Sequence, residues 1–444
     1  MSDRRLVFAP ALLTLVAHVA LPLGAVAQTA AEPLTLSRAV ALAVEHAPEV
    51  AVAQAESDLA AASARLEKTH YGPEAFVATN PGYSSGLPVM VAGQVPSLFN
   101  ASVRQPIYDA SLRAGALTAR AAAEERQSAL ERVHSETARA VILAFGRVAA
   151  DGTLLAGARR ALEAQESIAR RGSSLAAEGR ATSVDADAAD VDVARAKQRV
   201  MDRTFAKDLD ELELKHLLDW PSGETLTVAD DPLAAIPVPP PSGNVDAARD
   251  RDPESRSLER EIETLRAAAA ARSRKIQPTI VAEAQYLRLA KYNHFEDYFN
   301  RFRENDLSVG ISISIPVWVG GRTQEMAIEA RARVARAEAA FRGRARDVEL
   351  AVRRGEADLA RAGAQEAVAR SADAVARDRV RIASALAAEG RGEPDGAELA
   401  DIALVRAQEE LANASQAVLA ARVTLLNLRG ELVSSLATPT RPER

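Results

Sequence analysis

The sequence predicts a mainly α-helical chain with a small membrane β part, built as two copies of one structural unit. Three observations carry that reading: a phrase written twice, a strictly alternating apolar stretch, and two very long helix-forming segments. The hexapeptide Leu-Ala-Ala-Glu-Gly-Arg occurs at 175–180 and again at 386–391, 211 residues apart. Pro48 and Pro253 stand in matching contexts at an offset of 205, as do Pro73 and Pro278, while Pro106 and Pro316 match at 210. An offset that stays constant and then grows marks a duplicated unit whose second copy has a longer loop.

Taken in chain order, the first residues read as an export signal over 1–27. Arg4 and Arg5 form its charged region, Leu6 to Ala20 its apolar region, and Ala25-Val26-Ala27 a small-residue cleavage site. A membrane-spanning anchor and a twin-arginine signal are the rival readings. No later stretch is expected to be apolar enough for a membrane helix. The chain has no cysteine, so it forms no disulfide and carries no thioether lipid anchor. Its net charge of −6 gives no nucleic-acid footprint.

The β part is announced by its aromatic residues. Of nine Phe, six Tyr and two Trp, twelve fall in the windows 71–109 and 278–320, which occupy equivalent places in the two repeats. In the second window Leu307, Val309, Ile311, Ile313, Ile315, Val317 and Val319 alternate with Ser308, Gly310, Ser312 and Ser314. That is period 2 with small polar residues on the other face, and about 9–11 residues of it suffice to cross a bilayer when tilted. Repeat one keeps the same parity more weakly, Val103 matching Ile313 and Ile107 matching Val317. Each window is expected to hold two strands, within about 74–108 in the first and at about 278–290 and 307–319 in the second. Aromatics near strand ends suit a membrane barrel, and a small soluble sheet with an aromatic core is the other reading. Four strands cannot close a membrane barrel, and open edges are not tolerated in lipid. A spanning sheet of this size therefore demands several chains.

The rest is helix. A stretch from about Ser111 to Glu178 lacks proline and is dense in good helix formers, giving a rod of roughly 100 Å. Gly179 breaks it, and Thr182 or Ser183 caps a return helix to about Leu218. A helix over about 48–70 precedes the first strand, and with the return helix it nearly matches the long one in length. The two are expected to lie end to end beside it. Repeat two follows the same plan: a long helix over about 323–389, a break at Gly390, and a return helix over about 397–433. The hexapeptide is thus the far tip of each hairpin. Alanines and charges outnumber leucines and valines, which suits helices packed edge to edge around a water-filled tube rather than around one thick core.

The histidines at 18, 46, 70, 134, 216 and 294 are scattered without metal spacing. No phosphate loop, nucleophile elbow or carboxylate pair is present, and no enzyme activity, cofactor or metal is expected.

Several segments together carry a family resemblance. LTLSRAVALAVEHAPEV resembles the opening helix of the TolC-like outer-membrane efflux proteins, and SVRQPIYDASLRAG and VGISISIPVWVGGR resemble their strand-to-helix junctions. EGRATSVDADAADVDVARA resembles their hairpin tip, and LKHLLDWPSGETLTV their end-of-repeat segment. The likeness runs through the mature chain in order. It implies a homotrimer in which each chain gives four strands to one shared twelve-stranded β-barrel, continued by an α-helical tunnel across the periplasm. It further implies a passive exit duct of a tripartite efflux or type I secretion system. The partners would be outer-membrane lipid, a periplasmic adaptor (membrane fusion) protein and an inner-membrane pump of the resistance-nodulation-division or ABC type. The implied location is the outer membrane, with the tunnel in the periplasm, and no N-terminal lipid anchor is expected.

Carried onto residues, the resemblance makes Asp185, Asp395, Glu398 and Asp401 candidates for the pore tip or gate. The family's second gate acid falls at Gly396 by register, whereas this chain has Asp395 one place earlier, after Pro394. Glu178, Gly179, Arg180, Glu389, Gly390 and Arg391 are candidates for the hairpin tips and adaptor contact. Repeat one is read as 28–229, repeat two as 255–437, with a loose tail over 438–444. Residues 230–254, too proline-rich for helix, form a linker between the repeats on the outside of the tunnel. A soluble periplasmic coiled-coil adaptor or scaffold protein is the alternative; it fits poorly with two hairpins and with strands at the opposite end.

Overall fold

The computed structural model describes residues 33–82, 97–221, 223–229, 231–240, 245–272, 278–289, 303–317 and 321–437. The export signal, the tail, Tyr83, Trp318, Val319 and the aromatic residues between 290 and 300 lie outside them, as does Phe302. Ten helices and four strands follow one another among the described residues: α1 (Leu36–His46), α2 (Pro48–Thr69), β1 (Glu74–Asn80), β2 (Ser97–Tyr108), α3 (Ala110–Ala177), α4 (Ser183–Leu217), α5 (Pro232–Ala235), α6 (Val245–Arg251), α7 (Pro253–Arg272), β3 (Thr279–Leu289), β4 (Asn305–Ser314), α8 (Arg322–Ala388), α9 (Gly396–Leu428) and α10 (Leu432–Ala437).

Local chemistry sets the ends of these elements. The Thr35 hydroxyl accepts from the Arg38 amide to start α1, and Pro48, which has no N–H to lose, opens α2. Asp109 caps the 68-residue α3 through the amides of Ser111 and Leu112. Both hairpin tips then close in the same way. The Gly179 amide donates to the Ala176 carbonyl (3.0 Å) and the Arg180 amide to the Leu175 carbonyl (2.8 Å); Gly390 and Arg391 repeat this on Ala387 and Leu386 at 3.0 and 2.9 Å. This is the Schellman arrangement, and Leu-Ala-Ala-Glu-Gly-Arg supplies all of its positions, with glycine at the left-handed residue (φ +70° and +65°). The same motif ends α9 at Gly430, φ +66°, and ends α4 at Asp219, φ +50°, where a side chain occupies the glycine's place.

Packing is side by side. α2 and α4 lie end to end along α3, antiparallel to it. Val50 packs with Leu130 and Arg126 pairs with Glu56 (3.2 Å) on one half; Arg147 pairs with Asp210 (2.7 Å) and Lys197 with Glu166 (3.6 Å) on the other. In repeat two α7 and α9 cover α8 likewise, through Arg344–Asp252 (2.7 Å) and Arg429–Glu356 (2.7 Å). α9 and α7 also lie on the free flank of α3, so the order across the strip is α4, α3, α9, α8 on the tip side and α2, α3, α7, α8 on the sheet side. The largest apolar cluster sits where the short helices meet. It joins Leu36 and Val40 of α1, Val141, Ile142 and Phe145 of α3, Leu214, Ile236, Leu419 and Val423 of α9, and Leu432.

Three expectations are corrected. Residues 230–254 are not a plain linker: they hold α5, α6 and the start of α7, and α6 occupies in repeat two the place α1 has in repeat one. Helix is possible there because the prolines fall at helix starts, Pro232 opening α5 and Pro253 opening α7. β4 stops at Ser314, although the alternation runs on, because its partner β3 begins at Thr279, the residue paired with Ser314. Finally, α3 does contain an 18-residue window with the composition of a membrane helix. Its Val141, Ile142, Ala144 and Phe145 are fully buried in the central cluster, so the apolar composition serves the core.

Two substitutions follow. Asp219→Gly gives α4 the glycine that α9 already has and removes the left-handed strain; it should raise stability by up to about 1 kcal/mol, read as a higher thermal midpoint. Asp151 of α3 is 6% exposed, and its Oδ2 has no hydrogen-bond partner. Burial, aided by Asp210, pushes its carboxyl up to about 6, against the pull of Arg203, Arg147 and Lys207. A raised carboxyl pKa means stability is lost as pH climbs from the unfolded value, 3.8, through about 6. Asp151→Asn should therefore stabilise the protein at pH 7.5 by roughly 2–3 kcal/mol and change little at pH 4, as followed by thermal denaturation at both pH values.

Candidate functional site

Two features stand out as functional: the hairpin tips at one end and the sheet at the other. At the tips, α3 and α9 are tied together by one arginine. The Arg171 Nε and Nη2 donate to Asp395 Oδ1 at 2.8 and 2.7 Å, and its Nη1 reaches Glu398 Oε1 at 2.6 Å. Ser167, one turn back, donates to the same Glu398 oxygen (3.0 Å) and accepts from Arg171 Nη1 (3.1 Å). The Arg171 hydrogen bond holds the Glu398 carboxyl below its usual range, against a smaller effect of burial. Glu398 in turn raises the Arg171 guanidinium further.

Asp395 and Glu398 are thus brought together, with Asp395 at the N-cap position of α9 rather than on the helix face. Its carboxylate does not cap the helix and is turned to Arg171 instead. Arg171 was not singled out from the sequence; its one cue is its place eight residues before the tip glycine, within reach of the facing helix start. Asp185 is elsewhere. It closes a capping box with Thr182, accepting from the Thr182 hydroxyl (2.7 Å) and amide (3.3 Å), which lowers its pKa. Asp401 is half-buried on α9. Glu178 pairs with Arg180 at 3.2 Å and Glu389 with Arg391 at 3.4 Å, within each tip and exposed. Gly179 and Gly390 are the left-handed turn residues already described.

At the other end the four strands form one antiparallel sheet in the order β1-β2-β3-β4, with β1 and β4 as open edges. Residues paired across strands share a face. One face carries Leu307, Tyr286, Ala101 and Val77 in one row and Val309, Ala284, Val103 and Ala75 in the next, continuing to Ile311 and Ile313. The β4 residues of this face are more than half exposed, at 61–78%. Phe99 and Tyr286 meet edge to face there, with ring centroids 6.1 Å apart. The opposite face carries Ser308, Gln285 and Ser102, and a row of Gly310, Glu283, Arg104 and Glu74.

The helical strip is open at the same two sides. On its outer helices, exposed apolar side chains fall at seven-residue intervals: Val52, Leu59 and Leu66 of α2, Val184, Val191, Phe205 and Leu212 of α4 with Gln198 in the intervening place, and Val368, Val375 and Ile382 of α8. A seven-residue apolar repeat is the seam a helix presents to a partner helix. Among the described residues no group of His, Asp or Glu is placed to hold a metal ion.

An antiparallel sheet above a strip of very long paired helices is the architecture of TolC-like outer-membrane channels, and solved structures of that class share it. The chain is similar to a crystal structure of CusC described for transmembrane channel formation, with TM-score 0.71, 15% identity and coverage of 89% of this chain and 92% of that one. It is similar to the CmeC outer membrane channel of Campylobacter jejuni, with TM-score 0.70, 12% identity and coverage of 89% and 86%. The outer membrane protein VceC of Vibrio cholerae gives TM-score 0.66 and 15% identity, covering 89% and 96%. No family model and no curated protein matches the sequence. The chain has the TolC-like fold.

The tip cluster makes a testable statement. Because the Glu398 pKa is lowered, the contribution of its pair is in force above the unfolded value, 4.5, and disappears only as pH falls through the lower folded one. Hydrogen exchange in the first turns of α9, corrected for intrinsic rates, should be the same at pH 7.5 and 5.5. Arg171→Gln should raise it at both. Unchanged exchange in the variant would show that Arg171 holds nothing.

Proposed function

We propose that three copies of this chain form an outer-membrane exit duct. The four-stranded sheets close into one twelve-stranded barrel, and the helical strips close into a tunnel that runs into the periplasm. One observation carries the reading: sheet and helical strip are open at the same two edges, and the helical edges bear unpartnered apolar seams. Each β4 would pair antiparallel with the β1 of the next copy. The α8 seam of one copy would meet the α4 and α2 seams of its neighbour. Closure leaves no strand edge in lipid, where each unpaired backbone group costs several kcal/mol. It also turns the exposed apolar face of β4 to lipid and the serine-rich face to water.

The duct is passive, its energy supplied by the pump it joins. It works in a tripartite efflux or type I secretion system, with a periplasmic adaptor at the tips and an inner-membrane pump of the resistance-nodulation-division or ABC type. Glu178, Arg180, Glu389 and Arg391 stand exposed at the two tips, where an adaptor would meet them. In this reading Arg171, Asp395, Glu398 and Ser167 hold the two hairpins of one chain together at the narrow end, and Asp401 lies about one turn further along α9. The likeness to the CmeC outer membrane channel and to the outer membrane protein VceC supports the assignment.

The first experiment is the protein mass of the detergent-extracted outer-membrane fraction, by light scattering with the detergent subtracted. A particle of three chains that conducts ions after reconstitution is expected. A soluble monomer or dimer in the periplasmic fraction would refute the shared barrel.

A further inference from the structure

We propose that the barrel sorts its cargo by charge at one row of the sheet, where Glu74, Arg104 and Glu283 lie side by side. The inference rests on the shared-barrel reading above and adds to it a selectivity determinant and a substrate class.

The register places these residues together. Glu74 of β1 is the cross-strand partner of Arg104 of β2, Arg104 is the partner of Glu283 of β3, and Glu283 is the partner of Gly310 of β4. All three charged side chains are exposed on the polar face, opposite the apolar face that β4 dominates. Gly310 ends the row without a side chain, and a Cβ built there would meet nothing within 4 Å, so the space beside Glu283 is open. The next row toward the other end of the strands is neutral, with Phe76, Ser102, Gln285 and Ser308, and Gln285 donates to Asn100 at 3.2 Å. The row below carries Pro106, Val281 and Ser312. The row beyond the neutral one holds Ala78, Asn100, Leu287 and one exposed acid, Asp306 of β4, so Glu74, Arg104 and Glu283 form the level at which acids and a base lie side by side.

Closure by three copies turns the row into a ring of six carboxylates and three guanidiniums, an excess of three negative charges. The size of the barrel decides whether that excess matters. Twelve strands about 4.8 Å apart and tilted by about 40° close at a backbone radius of roughly 12 Å. Glu and Arg side chains extending inward by ~5 Å bring the charges to roughly 7 Å from the axis, which is within the Debye length of about 10 Å at 0.1 M salt. The fields of the whole ring overlap across the lumen, so no solute passes outside their reach. The ring then favours cations and neutral molecules over small anions by about five- to tenfold at that ionic strength, and the preference fades at 1 M, where the Debye length is about 3 Å.

The test is the reversal potential of purified trimers in planar bilayers under a tenfold KCl gradient, 10 mM against 100 mM. Wild type is expected to prefer K⁺ over Cl⁻. Glu74→Gln with Glu283→Gln should lower the permeability ratio by about fivefold or more, toward anion preference, and Arg104→Gln should raise it. All three proteins should converge when the measurement is repeated above 1 M. Reversal potentials that match wild type in both variants, with conductance and trimer mass preserved, would overturn the ring. A wild-type protein that forms no conducting trimer would overturn the duct reading itself, and the ring with it.

Discussion

A mismatch of lengths governs this structure. The 68-residue α3 needs an antiparallel partner along its whole flank, and the chain supplies it as two pieces of 22 and 35 residues. Wherever two helices meet end to end, carbonyls and amides are left without intrahelical partners and an apolar gap opens. The joint is where the chain concentrates its bulky core, around Phe145, Leu214, Leu419 and Ile236. Several polar groups find partners there too. Leu34 bridges to Thr227 and Ala229 through the backbone, Arg422 donates to the carbonyls of Leu233 and Ile236, and Arg429, 3% exposed, reaches Pro240 and Glu356. The proline-rich segment between the repeats thus works as a strap over the joint. Away from it, small residues and exposed ion pairs suffice.

Much of this was legible in the sequence, because the signals were local or periodic. The hexapeptide names a Schellman end residue by residue, so its two copies located both tips. Strict alternation located β4, and the absence of proline over some seventy residues located α3 and α8. The illegible parts depend on what comes near from elsewhere. α6 hides in a proline-rich stretch because proline forbids helix interiors and not helix starts. The apolar window of α3 has membrane-like composition, and only its neighbours, α1 and α9, reveal it as core. The pairing of Arg171 with Asp395 spans 224 positions, and no spacing rule reaches that far.

The exposed seven-residue seams were foreshadowed only as narrow flanks. In one chain they contradict the usual burial of large apolar side chains, since Val52, Leu59, Val184 and Val368 are each more than 60% exposed. The contradiction is informative because these side chains keep a seven-residue register on the outer helices α2, α4 and α8. A scattered set would mean little.

The seam between the two repeats has a further consequence, for the timing of folding. The flank of α3 is completed by α9, reached through pairs such as Arg160 and Gln408, 248 positions apart, and β2 finds its second neighbour in β3 some 185 positions on. Neither half of the molecule can finish before the other has been made and delivered. Contacts this distant along the chain belong to slow folders, and during the wait the alternating strands and the apolar seams are open to wrong partners. A chain of this design lives through an interval in which it must be sheltered, and that vulnerability is set by its topology rather than by any single residue.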